Sequence, residues 1–200
     1  MGMRLRTCLT ALALSACCLA PSIAASQAIT YTESFDASGT VNGSPFNGLV
    51  TFSLTSNVNQ IMSNCSGSGI YCTPDETASF TIQGFGQGTF DNQFWVFDNQ
   101  NHSVAGFSAV GVQDIVDLSN PAFTTYTLMN PIGPLNTTYS FTDNGVGLES
   151  SLGDVIFDSF GGTPVFQASE SGTTPEPGSL TLFGSGVASL AAAGRRKFKS

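Results

Sequence analysis

The sequence predicts an all-β domain, built as an antiparallel β-sandwich or jelly roll, over residues 26–172. Residues 29–173 hold fourteen of the sixteen Phe, the single Trp and all four Tyr, interspersed with Thr, Ser, Gly and Asn. These residue types favour strands and turns. Long runs of Ala, Leu, Glu and Lys with a period of 3.6 residues are missing from this segment. About 145 residues are enough for one domain with its own core.

Apolar and polar residues alternate in several short stretches, as expected for strands with one buried face. The alternating apolar residues are Val50, Phe52 and Leu54, then Phe80 and Ile82, Tyr126 and Leu128, and Tyr139 and Phe141. Two continuous apolar runs, 94–97 and 155–157, predict strands that are buried on both faces. Turn-forming clusters separate these stretches at 42–44, 98–101, 119–121, 130–134, 143–145 and 161–162. This spacing predicts roughly eight to ten short antiparallel strands.

Charged residues are scarce and unevenly placed. They make up 10% of the chain, against roughly 25% in a typical soluble protein. Asp and Glu total 14, whereas Lys and Arg total 6 and all lie near the two ends. The six basic residues are Arg4, Arg6, Arg195, Arg196, Lys197 and Lys199. A body without basic residues repels a polyanion, which excludes nucleic-acid binding and most phosphate chemistry.

Residues 1–25 are typical of a secretory signal peptide. Arg4 and Arg6 precede an apolar stretch at 8–19, which is followed by Pro21 and small residues. The cleavage position is open, because cuts after residues 24, 25 and 28 all place small or tolerated residues at −3 and −1. An alternative is a lipoprotein signal, since residues 14–17 resemble a lipobox that would leave Cys17 lipidated. We therefore expect export through the Sec machinery.

The C-terminal segment, residues 173–200, has three ordered parts. Pro175, Glu176 and Pro177 precede an apolar stretch at 178–194, and the basic cluster Arg195, Arg196, Lys197 and Lys199 follows it. This order resembles the PEP-CTERM sorting signal of Gram-negative bacteria. The resemblance implies that an exosortase, a membrane-embedded transpeptidase-like enzyme, recognises the Pro-Glu-Pro tripeptide. It also implies that the body of the protein passes to the cell surface or extracellular matrix.

The apolar stretch also predicts a single C-terminal transmembrane helix. A helix over 178–194 would be about 25 Å long, slightly shorter than a hydrocarbon core of about 30 Å. The basic cluster is of the kind that stays cytoplasmic, so we expect transient anchoring in the inner membrane with the body outside. Polar residues such as Thr181 and Ser185 leave a simple tail anchor or an amphipathic surface helix as alternatives.

The cysteines predict one disulfide. Cys8, Cys17 and Cys18 leave with the signal peptide if it is cut after residue 24 or later, whereas Cys65 and Cys72 flank a Gly/Ser-rich loop in an oxidising compartment. Two Cys and the distant His102 cannot complete a zinc site, so no metal-ligating residue is predicted. A catalytic Cys–His pair would leave the second Cys without a role, and no catalytic residue is predicted.

Other candidate residues indicate two further classes of function. Calcium is the one cofactor that the sequence leaves possible, through the acidic groupings Asp75–Glu76, Asp114–Asp117 and Asp154–Asp158. None of these groupings follows the EF-hand pattern. Paired carboxylates could hydrolyse glycosides, but their spacing singles out no pair. Trp95, Tyr71, Tyr126 and Tyr139 are the candidate rings for carbohydrate binding, with Tyr71 expected to be displayed on the disulfide loop. The Gly-rich segment 84–88 predicts a bend between strands, because a strand rather than a helix follows it.

These observations favour an exported surface or matrix protein with a non-enzymatic, structural or adhesive β-domain. Its expected partners are exosortase, the membrane and an extracellular polysaccharide. A carbohydrate- or calcium-binding module is the alternative, and a secreted hydrolase is favoured less.

Overall fold

The computed structural model of the chain describes residues 27–112 and 114–171. These residues form twelve strands and two short 3-10 helices. The strands are β1 (Ala28–Val41), β2 (Ser44–Asn57), β3 (Met62–Ser63), β4 (Ile70–Cys72), β5 (Glu76–Ile82), β6 (Gly86–Asn99), β7 (Val104–Ala109), β8 (Asp114–Ser119), β9 (Ile132–Asn136), β10 (Thr138–Thr142), β11 (Gly147–Leu148) and β12 (Val155–Glu170). The helices are Val58–Gln60 and Pro121–Thr124. Across the described ranges, no helix has the length and apolar character needed to span a bilayer. The predicted signal peptide and C-terminal helix lie outside these ranges.

The strands belong to one twelve-stranded sheet. Its main order is β10-β8-β7-β6-β5-β2-β1-β12-β11, with β4 beside β6, β3 beside β4 and β9 beside β12. Every pair of strands is antiparallel. The all-β, antiparallel prediction is confirmed. The strands form one continuous sheet, however, rather than the two separate sheets of the expected sandwich or jelly roll.

The sheet curls until strands from its two ends meet. β9 pairs with β12 through Asn136 and Val165, and the chain then continues into β10 at the opposite end of the sheet. Between β9 and β10, the Thr137 backbone N–H and hydroxyl both donate to the Pro164 carbonyl at 2.9 Å. The Tyr139 hydroxyl on β10 donates to the Gly161 carbonyl on β12 at 2.6 Å. The curled sheet therefore encloses a single core.

The longest hairpin shows how local sequence sets the register. β1 and β2 are each 14 residues long and are joined by Asn42 and Gly43, which have φ values of 47° and 77°. Two consecutive left-handed residues of this type form the tight turn that matches the twist of an antiparallel hairpin. The register then places Val50, Phe52 and Leu54 inside, where each is at most 1% exposed, as their alternation predicts.

Phenylalanine rings fill the core. The ring of Phe52 on β2 lies 5.2 Å from Phe35, 5.3 Å from Phe90, 5.9 Å from Phe107 and 5.8 Å from Phe157. These four residues come from β1, β6, β7 and β12, so one side chain links strands from both halves of the sheet. Edge-to-face and tilted pairs of this kind add about 0.5–1.5 kcal/mol each to the burial of the rings.

Three details of the predicted strands differ in the structure. Within the run 94–97, Phe94 and Val96 are fully buried, whereas Trp95 and Phe97 are half-buried on the outer face. In the run 155–157, Ile156 is likewise only half-buried. Tyr126 and Leu128 are buried as expected but lie in a loop rather than a strand, because their apolar side chains cover the end of the core.

Candidate functional site

The described residues include acids but no Lys or Arg, and the one His, His102, is exposed, so a carboxylate inside this fold has no Lys or Arg to pair with. Three acidic side chains carry buried oxygens without a hydrogen-bond partner within the described ranges. They are Glu33 and Asp98, through both carboxylate oxygens, and Asp117, through Oδ1. A buried, unpaired polar atom is costly, so each of these positions requires a physical explanation.

Glu33 lies on the inner face of the sheet. On β1 it is paired with Phe52 on one side and Phe166 on the other, and it is 0% exposed. Burial raises the pKa of Glu33 well above its ordinary value, and the negative charge of Asp117 raises it further. The Glu33 carboxyl is therefore held in the neutral, protonated form in an aromatic interior.

Asp98 is the second acid of the inner face. It follows Phe94 and Val96 along β6, lies between Tyr71 on β4 and Ala105 on β7, and is 0% exposed. Burial raises the pKa of Asp98 from 3.8 to about 8. Like Glu33, Asp98 is predominantly neutral at pH 7 and is shielded from any solute by the sheet.

Two other acids, Asp114 and Asp117, lie on the outer face in a depression that is open to solvent. This outer-face depression has a volume of about 420 Å³. It is lined by Ser108, Val112, Asp114, Asp117 and Phe141, which come from β7, β8, β10 and the turn after β7. Phe141 is 41% exposed, and its ring forms an apolar wall beside the two carboxylates.

A bulge in β8 brings the two aspartates together. In a regular strand, residues three apart point to opposite faces. Here Asp117 is paired with Gly106 and Asp114 with Ser108, and the extra residue Ile115 breaks the register between them. Because Gly106 and Ser108 are two residues apart on β7, their partners share one face. The bulge therefore places both carboxylates in the outer-face depression.

A second bulge, in β10, turns Phe141 outward. Tyr139 is paired with Leu118 and Phe141 with Asp117, which leaves Ser140 without an opposite residue. Tyr139 consequently packs against Phe160 with ring centroids 6.3 Å apart, while Phe141 lines the depression. The sequence pattern had suggested that the two rings point the same way.

Gly106 makes the room that Asp117 occupies. A Cβ at position 106 would lie 2.8 Å from Asp117 Oδ1, 2.7 Å from the Val116 carbonyl oxygen and 3.1 Å from Phe97 Cε1. The carboxylate therefore lies in a notch over the backbone of β7. Burial raises the pKa of Asp117 from 3.8 to about 7, and the charge of Asp114 adds to this shift.

The structure confirms the disulfide between Cys65 and Cys72, with Cα atoms 6.1 Å apart. Tyr71, which was expected to be displayed on this loop, lies instead in β4 and is half-buried against the core. Its pairing with both β3 and β6 explains the difference, since a strand in the sheet cannot project from it. His102 lies in an exposed turn between β6 and β7.

Other candidate residues are not brought together into a site. Tyr126 is buried, and Trp95 and Tyr139 are half-buried. Asp154, Asp158 and Asp75 are exposed, and across the described ranges no group of three or more His, Cys, Asp or Glu side chains is placed to hold a metal. Gly84 and Phe85 lie in the turn between β5 and β6, as predicted, whereas residues 86–88 already belong to β6 and are paired with β5.

Sequence reasoning missed Glu33 and Asp98. Glu33 falls in the buried phase of β1, between Tyr31 and Phe35, and Asp98 continues the buried phase of Phe94 and Val96. An acid in phase with an apolar alternation was therefore the signal that could have identified both residues.

Comparison with known proteins identifies one segment. Residues 173–197 match the PEP-CTERM protein-sorting motif, which confirms the resemblance of the tail. Pro175, Glu176 and Pro177 fall within this match, as do the first three residues of the basic cluster, while all of them lie outside the described residues. No curated protein and no solved structure matches the chain.

Proposed function

We propose that this chain is a substrate of an exosortase and that its β-domain is delivered to the cell surface or extracellular matrix. The observation that carries the proposal is the PEP-CTERM motif at residues 173–197. A motif of this kind implies an exported protein with exosortase as its processing partner. Pro175, Glu176 and Pro177 are the residues recognised by the enzyme in this proposal.

In this proposal the chain is anchored in the inner membrane before the exosortase processes it. The apolar stretch 178–194 holds the chain in the inner membrane, and the basic residues Arg195, Arg196, Lys197 and Lys199 keep its end in the cytoplasm. The signal peptide over residues 1–25 starts export. The disulfide between Cys65 and Cys72 supports this assignment, because disulfides persist in oxidising compartments.

We further propose that the β-domain acts without catalysis, as a structural or adhesive component. Burial of Glu33 and Asp98 supports this, because these acids cannot reach a substrate while the sheet is intact. A glycoside hydrolase requires two accessible carboxyl groups that flank the scissile bond. Asp114 and Asp117 are the only pair lining the outer-face depression, so replacing either would abolish any hydrolase activity that this surface had.

A binding module is the second candidate, and the outer-face depression favours it. The exposed ring of Phe141 lies beside two carboxylates, an arrangement that combines an apolar platform with hydrogen-bond acceptors. Binding to a glycan array, lost on replacing Phe141 with Ala, would favour this candidate. If the domain binds no glycan on the array, the structural or adhesive function is favoured.

The sorting proposal is tested by fractionating a host that contains the exosortase and a matched strain that lacks it. The wild-type chain is expected in the surface or matrix fraction only in the first strain. Replacing Pro175, Glu176 and Pro177 together by Ala should reproduce the behaviour of the second strain. Asp158→Asn, on the exposed surface of the β-domain, is the control and should be sorted like the wild type. Equal surface delivery in both strains would contradict the proposal.

A further inference from the structure

The outer-face depression carries two carboxylates and is lined by no basic side chain among the described residues. Asp114 and Asp117 both line it, so two carboxylates share one depression. The Asp117 Oδ1 atom is buried and accepts no hydrogen bond within the described ranges. No Lys or Arg lies between residues 7 and 194, so a cation that neutralises these carboxylates would come from solution.

Ser108 supplies a second, independent observation. It lines the same depression, is only 5% exposed, and lies opposite Asp114 across β7 and β8. No hydrogen bond joins its hydroxyl to another described residue. Ser108 is thus a buried polar side chain that lines the depression without a described partner, on the side of the two carboxylates.

We propose that Asp114, Asp117 and Ser108 bind a divalent cation in the outer-face depression, and that calcium is the cation best suited to it. Calcium accepts six to eight oxygen ligands in flexible geometry, including monodentate or bidentate carboxylates and water. Two carboxylates and a hydroxyl supply the protein ligands, and the open mouth of the depression admits water to complete the shell. Magnesium also accepts one or two carboxylates with water, but it demands a near-ideal octahedron, a geometry that ligands fixed on two strands satisfy less readily.

Three features of the fold support the site. The bulge at Ile115 brings Asp114 and Asp117 to one face, and the notch at Gly106 lets the Asp117 carboxylate lie close against the sheet. Phe141 walls one side of the depression. An apolar wall lowers the local dielectric and strengthens the attraction between the carboxylates and a cation. We expect an affinity in the range of about 0.1–1 mM, which is typical of extracellular calcium modules.

The single Trp provides a reporter beside the site. Trp95 on β6 is paired with Ser108 on β7, so both side chains lie on the outer face. Side chains opposite each other in an antiparallel pair have Cβ atoms about 4.5–5.5 Å apart. A lanthanide ion that replaces calcium would therefore receive excitation energy from Trp95.

The proposal is tested by titrating the full chain in detergent with terbium and measuring terbium emission on excitation of Trp95. Calcium is then added to displace the terbium. Isothermal titration with calcium and with magnesium gives the affinities directly. We expect saturable emission that calcium abolishes, and a calcium affinity at least about tenfold tighter than that for magnesium. Asp117→Asn should weaken calcium binding about tenfold or more, and Ser108→Ala should weaken it by a smaller factor.

Asp158→Asn is the matched control, because it removes the same charge from an exposed site on β12. It should leave calcium affinity within about twofold of the wild type. A melting curve without calcium establishes that each variant is folded. Absence of Trp95-sensitised emission would overturn the proposal, as would equal weakening by Asp117→Asn and Asp158→Asn. Equal affinities for magnesium and calcium would overturn the assignment of calcium. The test does not use sorting, so its failure would leave the proposed function untouched.

Discussion

The C-terminal tail and the β-domain differ most in their content of Lys and Arg. The tail holds four of the six basic residues of the chain, whereas residues 27–171 hold none. The tail also carries the one segment that matches a known motif. A short linear motif can thus specify a destination whatever the attached fold, while the chemistry of the domain depends on how its strands bring separate residues together.

Within the β-domain the absence of basic residues has two different consequences. On the inner face, Glu33 and Asp98 are sealed among apolar side chains and stay protonated. On the outer face, Asp114 and Asp117 remain in contact with solvent, where a cation can reach them. One composition therefore gives neutral acids inside and a cation-attracting surface outside.

Transfer of the tail should produce the largest effect on this comparison. Residues 173–200 fused to an unrelated exported protein should direct that protein to the surface, while removal of the same residues should leave the β-domain unsorted. The readout is the fraction of each protein at the cell surface, and we expect a change close to all or none. The fusion with Pro175, Glu176 and Pro177 replaced by Ala is the control. Surface delivery of the β-domain without its tail would show that the body also carries sorting information.

Loss of the central aromatic ring should have the next largest effect. Phe52→Ala removes a fully buried ring that packs against five others, and we expect it to destabilise the domain by about 3–5 kcal/mol. Phe141→Ala, on the outer face, should cost less than about 1 kcal/mol because the ring is largely exposed. Urea denaturation of both variants provides the measurement. Similar losses for the two would mean that the outer depression, too, is part of the core.

Because its buried acids are neutral, the β-domain should become less stable as the pH rises. Asp98 has a folded-state pKa of about 8 against an ordinary value of 3.8, and the pKa of Glu33 is also raised. Between about pH 4 and about pH 8, the folded state binds more protons than the unfolded state. The free energy of unfolding therefore decreases as the pH rises across this window. At about 1.4 kcal/mol per pKa unit, we expect a loss of roughly 4–5 kcal/mol from Asp98, measured by urea denaturation at a series of pH values.

Asp98→Asn separates this effect from a general alkaline instability. The variant leaves an unpaired amide in the core and is less stable overall, but its stability should depend less steeply on pH. Asp158→Asn should retain the wild-type slope. A wild-type domain whose stability rises from pH 5 to pH 8, as for ordinary paired carboxylates, would contradict the assignment of neutral acids to the inner face.

Loss of the disulfide should cost less stability than loss of the Phe52 ring. Cys65→Ser opens the loop that ends at Cys72, and we expect a loss of about 2 kcal/mol because the loop is short. β4 covers Asp98 through the pairing of Tyr71, so the variant should also flatten the pH dependence if β4 loosens. Ser66→Ala in the same loop is the control. Unchanged stability in Cys65→Ser would show that strand pairing alone fixes β4.

Local patterns in the sequence predicted those parts of the fold that depend on neighbouring residues. Alternation at Val50, Phe52 and Leu54 identified a strand, Asn42 and Gly43 marked a tight turn, and two Cys across a Gly/Ser loop identified the disulfide. Each of these features is set within a few residues, so a single sequence is enough to show it.

Features that depend on pairing between distant strands were not predictable. The single curled sheet results from contacts such as that of Tyr139 with Gly161, which no local pattern reports. The grouping of Asp114 with Asp117 on one face requires the bulge at Ile115, whereas regular alternation places them on opposite faces. The candidate site therefore lies where the strands depart from regularity.

Intact mass spectrometry of the mature protein from its host, with cell, membrane and medium fractions compared, tests the central claim most directly. We expect a released species that lacks both the signal peptide over residues 1–25 and the chain beyond Pro175–Pro177. Its mass would also be lower by the two hydrogens that are lost when the disulfide between Cys65 and Cys72 forms. A mature species that retains residues 195–200 in the membrane fraction, with none released or surface-bound, would contradict exosortase processing and indicate a permanently anchored protein.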